Sequence, residues 1–161
     1  MSSKEEHMLE ALQLAKKGLL TASPNPMVGC VITYKNEVIG RGWHECSGEN
    51  HAEINAIEDV FTNLGIKSKE VLKESELFVN LEPCTTFGKT PPCADSISKH
   101  GIQKVYFSNE DKAQKEFSER YPEIEVESGL LEEEGRKLNK GFFSRIEKGR
   151  PYISCKIASA L

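Results

Sequence analysis

His51-Ala52-Glu53 stands at the start of one predicted helix, Pro83-Cys84 follows a predicted strand, and Pro92-Cys93 opens a further helix. One imidazole and two thiolates are three ligands for a tetrahedral zinc, which leaves the fourth position to water, as in catalytic rather than structural sites. Water held there has its pKa lowered toward ~7, and Glu53, two positions from the ligand His51, is placed to take its proton and deliver it elsewhere. The unpaired amides and partial positive charge of a helix N-terminus favour the thiolate form of Cys93. Taken singly, these residues have plainer readings, because a lone histidine is usually a satisfied surface or core residue and isolated cysteines usually pack as small apolar groups. Taken jointly, with both prolines and both helix starts in place, the catalytic zinc reading is preferred. Cys30 and Cys155 lie in apolar strand patterns and are read as core, and Cys46, close to His44, imitates a ligand without the supporting context.

The elements that must position these groups follow from periodicity. Residues Glu5 to Gly18 place Met8, Leu9, Leu12 and Ala15 at helical spacing, and Thr21-Ala22-Ser23-Pro24-Asn25-Pro26 cannot continue that helix because proline lacks the donor and biases its predecessor toward extended geometry. Val28 to Tyr34 and Glu37 to Trp43 are β-branched, apolar stretches joined by Lys35-Asn36, a hairpin pattern. His51 to Leu64 repeats apolar residues at Ile54, Ile57, Val60 or Phe61 and Leu64, as a helix packed on a sheet does, and Gly65 ends it. Leu77 to Leu81 reads as a buried strand, Pro91 to His100 as a short helix and Ile102 to Phe107 as a strand, so a parallel crossover is expected. A weak helix is predicted around Lys112 to Arg120, a strand near Ile124 to Val126, and a helix from Leu130 to about Ile146. Together these predict a three-layer α/β/α sandwich on a mixed central sheet.

Composition narrows the function classes. A chain of 161 residues with 38% hydrophobic content closes one sizeable core, not two. No apolar run approaches the roughly 20 residues that span a bilayer, and the N-terminus opens with charge, so no membrane association and a cytoplasmic location are expected. Five cysteines without a secretory signal read as reduced thiols or metal ligands. A net charge of −4 with scattered lysines provides no basic stripe for nucleic acid, which favours a small-molecule substrate.

The pattern H-x-E followed by P-C and a second cysteine is that of zinc deaminases. Beyond it, Ser23-Pro24-Asn25-Pro26 with Val28-Gly29-Cys30, Gly42-Trp43-His44 before Gly48, Leu81-Glu82-Pro83-Cys84, and the long insert Thr85 to Pro92 between the two cysteines resemble the deaminase half of the bifunctional riboflavin biosynthesis deaminase/reductase, within the cytidine deaminase superfamily. Most relatives in that superfamily have a C-x-x-C spacing, which makes the insert the most discriminating feature. The resemblance implies hydrolytic deamination of the phosphoribosylated diaminopyrimidine of riboflavin synthesis, with zinc on His51, Cys84 and Cys93, Glu53 as proton shuttle, and Asn25, His44 and Lys89 holding the aminopyrimidine nucleotide. It also implies a homo-oligomer, dimeric or larger. Without the family, Asn25 reads as a turn residue, His44 as a strand end and Lys89 as a solvated cation.

Two departures from the family stand out: Thr86 replaces its usual histidine, and Asn109-Glu110-Asp111-Lys112-Ala113-Gln114 replaces its aspartate-proline-asparagine-proline loop, so that altered contacts to the substrate are expected. Residues 1–146 are read as the deaminase domain and 147–161 as a connector and strand resembling the start of a reductase domain that is absent here. Two rival readings remain: a zinc deaminase of another nucleobase, nucleoside or nucleotide, and a non-catalytic zinc-stabilised binding module.

Overall fold

The computed structural model describes residues 1–86, 91–112 and 117–149. Helix α1 (Ser3–Ala15) opens with Ser2 as its cap, the Ser2 hydroxyl accepting from the Glu5 amide at 3.2 Å, and ends in one tighter turn at Lys16–Gly18. Strands β1 (Gly29–Tyr34) and β2 (Glu37–Trp43) form the expected hairpin, with both turn residues, Lys35 and Asn36, in the left-handed region that suits the twist of two antiparallel strands. Helix α2 (Ala52–Leu64) stops at Gly65, whose φ of 56° removes it from the helical path. A short helix that periodicity did not reveal, α3 (Ser68–Leu72), leads into β3 (Glu76–Leu81). Then come α4 (Cys93–Lys99), β4 (Lys104–Asn109), α5 (Phe117–Arg120), β5 (Glu125–Ser128), α6 (Glu132–Leu138) and α7 (Lys140–Lys148).

The strands form one mixed sheet in the order β2-β1-β3-β4-β5, with β1 antiparallel to both neighbours and β3, β4 and β5 mutually parallel. Alternation along the central strands assigns the layers. Cys30, Ile32, Leu77, Val79, Val105 and Phe107 pack with Ala56, Ile57 and Val60 of α2 and Ile97 of α4. The intervening Val31, Phe78 and Tyr106 pack with Met8, Ala11 and Leu12 of α1 on the opposite face. This is the three-layer α/β/α arrangement on a mixed sheet that the sequence pattern predicts. Among the described residues, no helix is long and apolar enough to cross a membrane.

The C-terminal helical segment differs from its expected form. A single helix from Leu130 to about Ile146 is broken into α6 and α7 at Asn139, where the backbone leaves helical geometry at φ −116°, ψ 40°. The cause is long-range: the Asn139 side-chain Oδ1 accepts the Met27 amide at 2.8 Å and its Nδ2 donates to the Met27 carbonyl at 2.8 Å. In α5 the Phe117 amide is taken by the Glu82 carboxylate at 2.6 Å. Residues 113–116 of the predicted helix, and Arg150 to Leu161 with Cys155, lie outside the described residues.

Glycine sets the depth at which α2 sits on the hairpin. A Cβ at Gly42 would lie 2.5 Å from the Ala52 carbonyl oxygen, and one at Gly40 would lie 2.6 Å from that of Ala56, so β2 meets the helix backbone directly. Because α2 carries His51 and Glu53 at its start, this contact fixes the height of both over the sheet. Gly42→Ala is expected to destabilise the fold by about 1–3 kcal/mol through overpacking. The check is a lowered urea midpoint at constant m-value; an unchanged midpoint would show that α2 has room to move.

Candidate active site

The site forms where the C-terminal ends of β3 and β4 face the N-terminus of α2, the edge at which parallel α/β sheets bind ligands. His51 caps α2 from an extended backbone, φ −73° and ψ 166°, and makes no capping bond with its ring, so the imidazole is left for other partners. Its Nδ1 lies 3.2 Å from Cys93 Sγ and 3.6 Å from Cys84 Sγ. Cys84 follows β3 and Cys93 is the first residue of α4. They are tied together by the Cys93 amide, which donates to Cys84 Sγ at 3.1 Å, and by the Ala94 amide, which donates to the Cys84 carbonyl at 3.1 Å.

These ligand atoms all lie within 4.8 Å of one another. A tetrahedral zinc with arms of about 2.3 Å to sulfur and about 2.0 Å to nitrogen would have ligand-to-ligand edges of roughly 3.5 Å, close to the spacings observed. The donor set, one imidazole nitrogen and two sulfurs, is also the set zinc prefers. Cys46, half-buried, is not a member of the cluster.

Electrostatics follow from burial and proximity. With the Cys93 thiol hydrogen-bonded to it and the His51 ring beside it, the Cys84 thiol is pulled down to about 4, while Cys93, as the donor of that bond and itself buried, is pushed up. The two sulfurs thus share a proton that metal binding would displace. The His51 ring is held more basic than usual, first by its bond to Cys84. Glu53, 3% exposed in the first turn of α2, is raised to about 7 by burial and by the nearby Cys84 charge. Its Oε2 is buried without a hydrogen-bond partner. A carboxylate oxygen kept dry and unpaired beside a metal-ligand cluster is costly unless something enters to meet it.

A cavity of about 190 Å³ opens onto this cluster, lined on its polar side by Asn25, His44, His51, Glu53, Glu82, Cys84 and Asp111. The structure therefore gathers Asn25, His44, His51 and Glu53, distant in sequence from Cys84, around one space. Asn25 Nδ2 lies 3.1 Å from His44 Nε2, and His44 Nδ1 lies 3.1 Å from the Asn50 carbonyl. A carbonyl can only accept, so Nδ1 carries the proton and Nε2 accepts from the Asn25 amide. His44 also stands edge-on to His51, ring centroids 5.3 Å apart. Lys89 lies outside the described residues.

Residues beyond the predicted set hold this geometry. Glu82, buried at the end of β3, accepts the amides of Asp111 at 2.9 Å and Phe117 at 2.6 Å, which brings Asp111 to the cavity. Asn80 Oδ1 accepts the Gly29 amide at 2.8 Å, and Asn80 Nδ2 joins Asn139 on the Met27 carbonyl at 3.0 Å. The signal for Glu82 and Asn80 was a charged and an amide residue at the end of a strand otherwise read as buried. Cys93→Ala is expected to lose most of its bound zinc, whereas Cys46→Ala keeps it, by metal analysis of purified protein; equal zinc in both would break the assignment of ligands.

Residues 1–109 match the family model for the cytidine and deoxycytidylate deaminase zinc-binding region, and the cluster of His51, Cys84 and Cys93 is the zinc site of that region in this chain. Over 150 residues the chain is 43% identical to the diaminohydroxyphosphoribosylamino-pyrimidine deaminase of Buchnera aphidicola subsp. Schizaphis graminum (strain Sg), spanning 90% of this chain and 97% of that one. It is 37% identical over 162 residues to the riboflavin biosynthesis protein RibD of Escherichia coli (strain K12), covering 98% of this chain but only 42% of the longer protein. Among solved structures, the diaminohydroxyphosphoribosylaminopyrimidine deaminase/5-amino-6-(5-phosphoribosylamino)uracil reductase of Thermotoga maritima superposes with a TM-score of 0.85 at 38% identity, over 93% of this chain and 43% of that one. The chain thus spans about two-fifths of the bifunctional relatives and nearly the whole of the shorter deaminase. On these matches the chain belongs to the cytidine and deoxycytidylate deaminase zinc-binding family and, within it, to the diaminohydroxyphosphoribosylaminopyrimidine deaminases.

Proposed function

We propose that the chain hydrolytically deaminates a phosphoribosylated diaminopyrimidine in riboflavin synthesis. The observation that carries the reading is the buried, unpartnered Glu53 carboxylate oxygen beside the His51, Cys84 and Cys93 cluster, on a residue that lines a cavity of about 190 Å³. Zinc, when bound by these three residues, supplies a hydrolytic nucleophile at neutral pH. Glu53 faces the same space and serves as the proton carrier: its carboxylate takes one proton from the attacking water to a ring nitrogen, then carries the second water proton to the amine, which leaves as ammonia as the C–N bond breaks and the carbonyl forms. Burial that raises the affinity of Glu53 for a proton suits a group that must hold one between two steps.

Asn25 and His44 orient the ring. Because the Asn25 Nδ2 is turned to His44, its Oδ1 is the atom positioned to accept from an exocyclic amine, and His44, fixed by the Asn50 carbonyl, keeps Asn25 in that orientation. Lys89 is assigned to the phosphoribosyl tail on the family resemblance, as a cation suited to phosphate. Residues 1–146 form the catalytic domain, and assembly into a dimer or larger homo-oligomer is carried over from the family.

The test is ammonia release from the diaminopyrimidine nucleotide by zinc-loaded protein. Glu53→Gln is expected to keep stoichiometric zinc while kcat falls roughly 10²- to 10⁴-fold. Turnover unaffected by that change would remove Glu53 from the chemistry, and absence of ammonia release by the zinc-loaded native chain would remove the substrate. Asn25→Ala is expected to raise KM about tenfold, the scale of one lost hydrogen bond that leaves a buried partner unpaired; a KM equal to that of the native chain would leave Asn25 as a turn residue only.

A further inference from the structure

The cavity has an apolar side made by Pro26, Val28, Leu81 and Phe142. Three of these come from segments already tied to the site, but Phe142 comes from α7, far along the chain. We infer that Phe142 is the aromatic surface on which the substrate ring stacks, and that α7, through Asn139 and Arg145, holds this surface in register with Asn25. The inference rests on the aminopyrimidine reading above.

Of the described residues that line the cavity, three carry aromatic rings: His44, His51 and Phe142. Both ring nitrogens of His44 are engaged, by Asn25 and by Asn50, and His51 Nδ1 belongs to the metal cluster. Phe142 is the one ring without such a task. It stays half-buried, while its neighbour Phe143 is 6% exposed beneath the Arg136 guanidinium. It makes an edge-on ring contact with Phe143, centroids 5.4 Å apart, which steadies a side chain that lines both this cavity and the neighbouring one beside Met27 and Leu138.

Its position is also fixed relative to the loop that bears Asn25. Asn139, at the start of α7, binds both the N–H and the C=O of Met27, and Arg145 Nη2 donates to the Pro24 carbonyl at 2.7 Å. The two ends of Pro24-Asn25-Pro26-Met27 are therefore fastened to the helix that carries Phe142. A planar heterocycle with polar edges needs an apolar surface for its face and polar groups for its rim, and this arrangement sets both in one unit.

The test compares Phe142→Ala, Phe142→Leu and Phe142→Trp in the full, zinc-loaded chain, with zinc content and thermal midpoint measured on each. If the ring stacks on Phe142, KM for the diaminopyrimidine nucleotide rises about ten- to a hundredfold in Phe142→Ala, kcat changes less, Phe142→Leu is intermediate, and Phe142→Trp returns close to the native KM. Zinc and thermal midpoint stay at native values. A native KM in Phe142→Ala with native zinc overturns the inference and leaves the proposed activity standing. So does a KM that rises equally in the Leu and Trp variants, which would mark a shape requirement without stacking. If the native chain itself neither binds nor deaminates the compound, the activity fails and the inference falls with it.

Discussion

The structure depends on bringing two sulfurs and one ring nitrogen to a common point from three separate chain segments. Each segment arrives by a different route: Cys84 just past β3, Cys93 at the first residue of α4, His51 one residue ahead of α2. Parallel pairing of β3 with β4 determines where the first two meet, and the glycine-lined contact of β2 with α2 determines the height of the third. Spacings of 3.2 and 3.6 Å between the ring nitrogen and the sulfurs leave little tolerance, so the two packing relations are constrained together. Glu53 inherits its position from the same start of α2, which is why its carboxylate and the His51 ring cannot drift apart.

Burial then makes the site chemically uneven. The sulfurs divide one proton between them, one acidified and the other made more basic, and the carboxylate beside them has a proton affinity far above that of an exposed glutamate. In water these groups would differ little from ordinary thiols and acids. Their divergence comes from the same enclosure that leaves a Glu53 oxygen unpaired, so cost and reactivity share a physical source.

Much of the site was legible because its signals are local. A histidine two residues before a glutamate at a helix start, and a cysteine after a proline at a strand end, are short patterns whose geometry follows from the elements that hold them. The layered fold was legible for a similar reason, since the alternation at Val31, Phe78 and Tyr106 against Cys30, Ile32, Leu77, Val79, Val105 and Phe107 is written into each strand. What could not be read were the long-range bonds. Nothing near Asn139 announces that its side chain will hold Met27, so a helical pattern running through it gave no cause to place a break there. The same holds for Glu82, which reads as a strand-end acid until its carboxylate meets the amides of Asp111 and Phe117. Phe142 belongs to this group too: it falls within a predicted helix whose pattern does not show the cavity beside it.

Asn139 bonds to Met27 through one donor and one acceptor on a planar amide, which is how one peptide group pairs with another across a ladder. The side chain serves as a surrogate peptide, adding one rung of sheet-like pairing where no strand runs. That form of attachment has an exacting chemistry. Aspartate has the shape without the donor, glutamine has both groups on a longer stem, and serine offers a single atom. The joint between the helix and the loop is therefore specified by the identity of one residue as sharply as a metal site is specified by its ligands.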